Sequence, residues 1–312
     1  MKRTGQIWTP ELSNIVIPTG RFSDNSTRSR STFFELKEQA KAIEDLFTQA
    51  NVCLRADSGL GRMIQNAKDL WESWFLNESG GQSHEMLSAA MHIHRIAQAI
   101  LPLKGEPEQA QYLKAILSDT LDFFERERSR AKNIFWELEV WSKLRRKTNQ
   151  VFLKEHPDVV VNFEDTRIGI ACKKIYSERH VQNVLSEAVS QIEKEFEFGI
   201  AAINIDDLLP PQSILNLESS HAVAERLHQH NGEFLRRHDR HFRKYLTEGR
   251  LISAIISSCI ISDVPHERPR FNNACQWTVW TIPGLPKDHQ VQLDRFYNIV
   301  MKGGIHLKQA VL

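Results

Sequence analysis

Three side chains in the middle of this sequence are of the types that bind a divalent cation and activate a water molecule: Glu137, Asp158 and Lys173. Carboxylate oxygens are the preferred ligands of hard cations such as Mg²⁺. A nearby ammonium group can orient bound water or help to deprotonate it. This chemistry requires that the helices and strands carrying the three residues bring them together.

Glu137 lies in the segment 131–146, whose apolar residues repeat at helical spacing. At ~100° per residue, one face of this helix holds Glu137 and four apolar neighbours. These neighbours are Ile134, Leu138, Trp141 and Leu144. A carboxylate in an apolar stripe is costly unless it is paired, protonated or bound to a cation. Glu139 points the other way, and we expect it to face solvent. The competing interpretation of Glu137 is an ordinary salt bridge at the edge of the stripe.

Asp158 and Lys173 belong to short, β-branched segments that predict three successive strands, at 151–153, 159–163 and 167–175. Because side chains alternate along a strand, Ala171 and Lys173 share one face, while Cys172 and Lys174 share the other. Lys173 would then point the same way as Asp158. The competing interpretation is a surface pair of lysines on an edge strand.

The rest of the chain predicts an α/β fold built on a mixed sheet, preceded by an all-helical N-terminal module. We place the helical module at 1–125 and the α/β domain at 126–312. Residues 23–31 have too little apolar content to pack and predict a loop or mobile arm. The helices before residue 150 are expected at 33–52, 61–76 and 84–101, followed by one long helix from Pro107 that is broken near 125–130. Beyond residue 175 we expect helices at 181–192, 217–247 and 288–301, and strands at 199–205, 251–261 and 275–282.

Glu137 on a helix, Pro157-Asp158 before a strand, and the strand Gly169-Ile170-Ala171-Cys172-Lys173 together resemble the PD-(D/E)XK nuclease superfamily. The resemblance covers about residues 131–205 and includes that family's order of helix, three strands, helix and strand. It implies a restriction-endonuclease-like fold, with Asp158 and Glu137 as metal ligands and Lys173 as the catalytic lysine. Gln191, on the following helix, corresponds to a Gln found in some branches. The implied cofactor is Mg²⁺ or Mn²⁺.

Ala171 departs from the family's pattern, in which a Glu or Asp stands two residues before the Lys. Three explanations remain open. In the first, Ala171 is an engineered substitution that inactivates the enzyme. In the second, another carboxylate replaces the missing ligand, and Glu187 is the best candidate. In the third, the domain is naturally inactive and binds nucleic acid without cutting it. Mg²⁺ needs only one or two carboxylates when phosphate and water complete its shell, so Asp158 with Glu137 would bind it weakly.

A second cluster of charge lies near residue 240. Five cations gather within ~120° of the helical wheel, and His238 and His241 fall on the opposite, apolar side. The cations, which we call the basic stripe, are Arg236, Arg237, Arg240, Arg243 and Lys244. We expect them to contact nucleic-acid phosphates; the competing interpretation is a solvated charged face. The two histidines predict partly buried core residues rather than a zinc site.

Composition narrows the class of protein. A net charge of +1 over 312 residues argues against a polycation that binds nucleic acid everywhere. No apolar run approaches the ~20 residues of a membrane span, and the polar start lacks a secretory signal, so we expect a cytoplasmic protein without membrane contact. The four cysteines, Cys53, Cys172, Cys259 and Cys275, lack metal-site spacing and predict buried free thiols.

Taken together, these patterns predict a metal-dependent nuclease that cleaves DNA, of a kind found in antiviral defence or repair systems. The helical module would recognise a partner protein or a DNA feature, and a homo-oligomer is compatible with the sequence. The alternative function is a non-catalytic DNA-binding or scaffolding subunit. A third alternative, a purely helical interaction protein, predicts that Glu137, Asp158 and Lys173 lie far apart.

Overall fold

The computed structural model describes residues 7–10, 16–20, 33–75, 84–210, 213–267 and 271–301, which form a mixed α/β fold. The helices are α1 (Phe33–Gln49), α2 (Gly59–Phe75), α3 (His84–Ile100), α4 (Gln109–Ile116), α5 (Arg130–Arg145), α6 (Val181–Glu193), α7 (Ser220–Thr247) and α8 (Lys287–Met301). The strands are β1 (Ile7–Pro10), β2 (Val16–Gly20), β3 (Val151–Leu153), β4 (Val159–Asn162), β5 (Arg167–Lys174), β6 (Phe198–Asn204), β7 (Ile214–Asn216), β8 (Ser253–Asp263) and β9 (Phe271–Trp280). Within the described ranges, no helix combines the length and the hydropathy needed to cross a membrane.

The strands form one mixed sheet in the order β1-β2-β9-β8-β6-β5-β4-β3, and β7 pairs with β8. Its centre is parallel, because β5 pairs with β6 and β6 with β8 in the same direction. The strands on either side of this centre run antiparallel to it. Every residue of β6 is buried, as expected of a central parallel strand covered on both faces.

Helices cover the sheet on both faces, and β5 shows the alternation clearly. Ile170 and Cys172 belong to an apolar cluster that includes α5 and the helices before it. Ala171 belongs to a different cluster, formed with α6 and α7. The helix that carries Glu137 and the helix that carries Gln191 therefore lie on opposite faces of the same strand. The chain order around them is α5-β3-β4-β5-α6-β6.

The region before α5 differs from the prediction in two ways. The break expected near 125–130 is wider than predicted, because α4 ends at Ile116 and α5 begins at Arg130. Ser129 explains the new start, because its Oγ accepts a hydrogen bond from the Lys132 N–H as an N-cap. The region is also not all helical, because it contains β2. This strand pairs with β9 and hydrogen-bonds to backbone groups that β9 would otherwise leave unpaired at the sheet edge. The loop predicted at 23–31 lies outside the described residues.

The prediction of free thiols is wrong for two of the four cysteines. Cys259 on β8 and Cys275 on β9 face each other in the antiparallel register, and they form a disulfide. Their Cα atoms are 4.1 Å apart. Cys172 is a buried free thiol, as predicted, whereas the free thiol of Cys53 is exposed. The pairing was hidden because strand register cannot be read from sequence spacing alone.

Candidate active site

Asp158 is held rigidly at the start of β4 and is only 6% exposed. Its Oδ2 accepts a hydrogen bond of 2.6 Å from the backbone N–H of Cys172 on β5. Its Oδ1 accepts one of 2.9 Å from Nε2 of Gln191 on α6. A strand and a helix therefore fix both oxygens of one carboxylate, which preorganises the group for binding.

Gln191 carries an unsatisfied oxygen at this site. The side chain is 8% exposed, and its Nε2 also lies 2.9 Å from Nδ1 of His156. Its Oε1 is buried and has no hydrogen-bond partner among the described residues. Buried polar atoms are nearly always partnered, so this oxygen points to a bound cation or water. The structure thus brings Gln191 into direct contact with Asp158.

Glu137 and Asp158 interact electrostatically although they come from different elements. Burial, followed by the charge of Asp158, raises the pKa of Glu137 well above its ordinary value, and Lys173 opposes this shift. Burial also raises the pKa of Asp158, against the charge of Lys173 and the hydrogen bonds from Cys172 and Gln191. The two carboxylates and the lysine therefore lie close enough to influence one another's ionisation. The alternative in which the three residues lie far apart is not supported by this arrangement.

Lys173 lies on a central strand, because β5 has β4 on one side and β6 on the other. The interpretation of a lysine pair on an edge strand is therefore wrong. Lys173 is half-buried, and within the described part of the chain its ammonium group makes no hydrogen bond or ion pair. Its ammonium group is available for a substrate or a bound water.

Ala171 lies two residues before Lys173, where the resemblance to the PD-(D/E)XK superfamily predicts a carboxylate. Val159 pairs with Ile170 in the antiparallel register, so Asp158 is placed opposite Ala171. Ala171 is fully buried among side chains from the α6 and α7 side of the sheet. Glu187, proposed as a substitute ligand, lies one turn before Gln191 on α6 and is exposed.

Two neighbours of the site did not emerge from the sequence. Tyr112 on α4 is buried, and burial together with the charges of Glu137 and Glu108 raises its pKa. Cys172 is buried next to Asp158, and burial, followed by the charges of Asp158 and Glu137, raises the pKa of its thiol. Only the adjacency of Cys172 to Lys173 could have drawn attention to it. Tyr112 carries no such signal, because it is 25 positions from Glu137 in the chain.

A second polar centre joins α3 to α5, the helix that also carries Glu137. Arg95 donates two hydrogen bonds to Glu139, of 2.7 and 2.6 Å, and its Nη2 also donates to Asp206 at 2.7 Å. Arg95 is 8% exposed and Glu139 is 3% exposed. The prediction that Glu139 faces solvent is wrong, because its partner comes from a helix that is distant in sequence. Burial disfavours the charge of Asp206, yet Arg95 and Lys174 lower its pKa to about 2.

The same centre reaches the end of β5. Lys174 Nζ lies 2.5 Å from Asp207 Oδ2 and donates a 2.7 Å hydrogen bond to Asn204 Oδ1. Lys132 on α5 is also buried, and its Nζ lies 3.9 Å from Asp207. These contacts fasten the segment after β6 to both β5 and α5.

Glu139, Cys259 and Cys275 form a cluster whose potential ligand atoms lie within 4.8 Å of one another. Its chemistry does not suit a metal ion. Both sulfurs are consumed in the disulfide, and both oxygens of Glu139 accept hydrogen bonds from Arg95. A cation there would have to displace a buried guanidinium, so Asp158 and Glu137 are the better ligands.

The basic stripe lies on α7 and is partly neutralised. Arg237 makes a bidentate ion pair with Glu178, and Arg243 makes one with Asp239. Arg236 and Arg240 are exposed and have no ion-pair partner among the described residues, while exposed Lys244 lies 5.3 Å from the Tyr245 ring centroid. His238 contacts Phe234 and Glu178, in line with a partly buried histidine. Arg237 on α7 pairs with Glu178, just before α6, and Arg250, just after α7, pairs with Glu193 at the end of α6, so the two helices run side by side in the same direction.

Comparison with known proteins gives no relative: no protein-family model, no curated protein and no solved structure matches the chain. The chemistry of the site is therefore argued from its own residues.

Replacing Glu137 with Gln is expected to stabilise the protein at pH 7 by on the order of 1 kcal/mol, because each unit of pKa shift corresponds to ~1.4 kcal/mol. The folded-state pKa is raised, so the carboxyl group destabilises the native state once the pH exceeds the ordinary value of 4.5. Below that pH the group is protonated in both states, and the gain should vanish. Urea unfolding of both proteins at pH 7 and pH 4 measures this. An unchanged or lower stability of Glu137→Gln at pH 7 would contradict the described electrostatics.

Proposed function

We propose that this protein is a divalent-metal-dependent nuclease that cleaves DNA phosphodiester bonds. Its catalytic core would be restriction-endonuclease-like, formed by α5, the strands β3 to β5, α6 and β6. The element order supports this proposal, as does the position of each chemical group at one end of β5. Fold alone does not define function, so the proposal rests on the site.

The observation that carries the proposal is the shared environment of Glu137, Asp158 and Lys173 around an unsatisfied Gln191 oxygen. Two carboxylates with raised pKa values, and a carbonyl oxygen without a hydrogen-bond partner among the described residues, are hard oxygen donors of the kind that bind a divalent cation. The donor set therefore suits Mg²⁺ or Mn²⁺, with Asp158 and Glu137 as ligands. When bound, such an ion supplies Lewis-acid polarisation of a phosphate and lowers the pKa of water.

The protein residues would divide the remaining work. Asp158, fixed by the Cys172 N–H and by Gln191, would keep one donor in a constant position. Lys173, which has no internal hydrogen-bonding partner among the described residues, would orient the attacking water and stabilise negative charge on the phosphate. The basic stripe on α7 would contact phosphates of the DNA backbone.

A second candidate function is a non-catalytic DNA-binding or scaffolding subunit. The observation in its favour is Ala171, which is fully buried where a carboxylate would face Asp158. Glu187 is exposed, which weakens its case as a replacement ligand. In this alternative the fold and the basic stripe are retained without hydrolysis. In either case α1 to α4 would form a helical module that binds a partner protein or a DNA feature, as in defence or repair systems, and a homo-oligomer is compatible with both.

The two functions separate when position 171 is varied. We expect Ala171→Glu to cleave linear and supercoiled DNA with Mg²⁺ or Mn²⁺, at least ~10²-fold faster than Ala171→Gln, because only Glu adds an anionic oxygen ligand. Adding Lys173→Ala to Ala171→Glu should remove the gain, since positioned proton-transfer groups contribute about 10²–10⁴-fold. Gel assays of nicking and linearisation measure these rates.

Ala171→Gln is the matched control, because it places a side chain of the same size at the same buried position without charge. Circular dichroism of each variant verifies that all remain folded. If no variant cleaves DNA but all retain salt-sensitive DNA binding, the nuclease function is rejected and the non-catalytic DNA-binding function is supported. A labelled RNA of the same sequence tests whether DNA is the preferred substrate.

A further inference from the structure

His156 lies in the segment that joins β3 to β4, two residues before Asp158, and its side chain is exposed. Its Nδ1 lies 2.9 Å from Nε2 of Gln191, and the same Nε2 donates a 2.9 Å hydrogen bond to Asp158 Oδ1. Two contacts of this length at the ~120° angle of a planar amide place Nδ1 about 5 Å from the Asp158 oxygen. The imidazole is therefore an immediate neighbour of the carboxylate that would bind a cation.

The amide of Gln191 determines which nitrogen of His156 carries a hydrogen. A reversed amide would bring its oxygen to the ionised Asp158 oxygen at the same distance, and two acceptors repel each other. The amide N–H groups therefore face both Asp158 and His156. A hydrogen on Nδ1 would oppose one of these donors, so Nδ1 accepts and Nε2 carries the hydrogen. His156 is thus fixed as a hydrogen-bond donor at Nε2.

The outer nitrogen of His156 is open to a ligand. No hydrogen bond from Nε2 is present among the described residues, and the side chain is exposed. The ammonium group of Lys173, which also interacts electrostatically with Asp158, is likewise without a partner in that part of the chain. Two free donors beside two carboxylates match a phosphodiester, because one of its non-bridging oxygens can bind the cation while the other accepts hydrogen bonds.

We propose that His156 contacts bound DNA, with its Nε2–H donating a hydrogen bond to a non-bridging phosphate oxygen at the Asp158 site. This inference rests on the proposed function, because that function makes a DNA phosphodiester the ligand of the site. The competing interpretation is a surface histidine that only holds the Gln191 amide in place. The DNA contact needs both ring nitrogens, whereas the structural role needs Nδ1 alone, so substitutions can separate the two.

Asparagine and glutamine at position 156 make this separation. The side chain of His156→Asn can accept the hydrogen bond from Gln191, but it is too short to place a donor at the position of Nε2. The longer side chain of His156→Gln can supply both the acceptor and the outer donor. The full chain is titrated in Mg²⁺ with two thymidine dinucleotides, by calorimetry and NMR. One has a phosphodiester link, and the other has an uncharged methylphosphonate link, in which a methyl group replaces one non-bridging oxygen.

We expect His156→Asn to bind the phosphodiester probe about tenfold more weakly than the unmodified protein, as for one lost hydrogen bond to a charged oxygen. His156→Gln should recover most of this affinity, and the methylphosphonate probe should bind all three proteins similarly. His266→Asn changes another exposed histidine and should leave both affinities unchanged. Long-range ¹H–¹⁵N spectra of His156 should show a hydrogen on Nε2 only, and the phosphodiester probe should shift the Nε2 signal.

Equal affinity of His156→Asn and the unmodified protein for the phosphodiester probe would overturn the proposal, as would no binding of that probe or a hydrogen on Nδ1. Cleavage by Ala171→Glu decides the proposed function separately. If Ala171→Glu cleaves DNA while His156→Asn binds as tightly as the unmodified protein, the nuclease function stands and the histidine contact fails. If Ala171→Glu does not cleave but His156→Asn binds more weakly, the contact stands and the nuclease function fails.

Discussion

Replacing Arg95 with Met is expected to lower the free energy of unfolding by about 3–5 kcal/mol. Removing one partner of a buried ion pair leaves the remaining charges buried without a counter-charge. Arg95 donates to both oxygens of Glu139 and to Asp206, and all three side chains are buried. Met fills a similar volume and keeps contact with the neighbouring rings, which isolates the loss of charge. Urea unfolding followed by circular dichroism at pH 7 measures the difference.

Arg250→Met provides the matched control. Arg250 also makes a bidentate pair, with Glu193 at 2.5 and 2.6 Å, but this pair is partly exposed to water. Its loss should cost less than about 1 kcal/mol. Adding Glu139→Leu to Arg95→Met removes one stranded carboxylate and should recover part of the stability. Equal losses for Arg95→Met and Arg250→Met would show that the buried network does not hold α3 against α5.

Acid should destabilise the protein through His92. Between pH 6.5 and pH 4.5, the unmodified protein is expected to lose about 2–3 kcal/mol more unfolding free energy than His92→Phe. His92 is buried on α3, and its burial, followed by the charge of Arg95, lowers its folded-state pKa to about 3 from an ordinary value of 6.5. In this interval His92 is protonated in the unfolded chain but stays neutral in the native protein. The free energy of unfolding therefore falls as the pH falls. The stability that neutral His92 contributes is fully present above pH 6.5. It falls as the pH is lowered, and this fall stops near pH 3.

The readout is the slope of stability against pH, which does not depend on how much His92→Phe changes stability at pH 7. Asp158, Glu137 and Asp206 titrate in both proteins, so their effects cancel in the comparison. His266→Phe is the control, because His266 is exposed; its curve should run parallel to that of the unmodified protein. A slope for His92→Phe equal to that of the unmodified protein would mean that the buried ring is protonated or hydrated in the native state.

The elements predicted best are those with a strong local pattern. The helix at 181–192 and the strands that begin at Val151, Val159 and Arg167 are confirmed almost to the residue. Their apolar spacing, β-branched content and turn residues all act over a few positions. The predictions that failed depend on distant partners. β2 pairs with β9, which lies more than 200 residues away in the chain, and Glu139 pairs with Arg95 on another helix.

Glu137 and Glu139 show this limit within a single helix. The helical wheel identified Glu137 as anomalous, and the structure gives it a raised pKa beside Asp158. The same wheel assigned Glu139 to solvent, although Arg95 buries it. Periodicity reports which faces are apolar, but it cannot report a charged partner supplied by another helix. The contact between Gln191 and His156 was missed for the same reason, because the two residues lie 35 positions apart in the chain.

Lys173 and Lys174 are consecutive on β5, yet they interact with different carboxylates. Lys173 interacts electrostatically with Asp158 and Glu137, whereas Lys174 pairs with Asp207. Because alternation along a strand is strict, inserting or deleting one residue before them in β5 would exchange their surroundings. Homologues of this chain are therefore expected to vary in length at the turn of residues 163–166 and not within β5. A substitution can change Lys173 or Lys174 alone, whereas an insertion or deletion in β5 changes the surroundings of both.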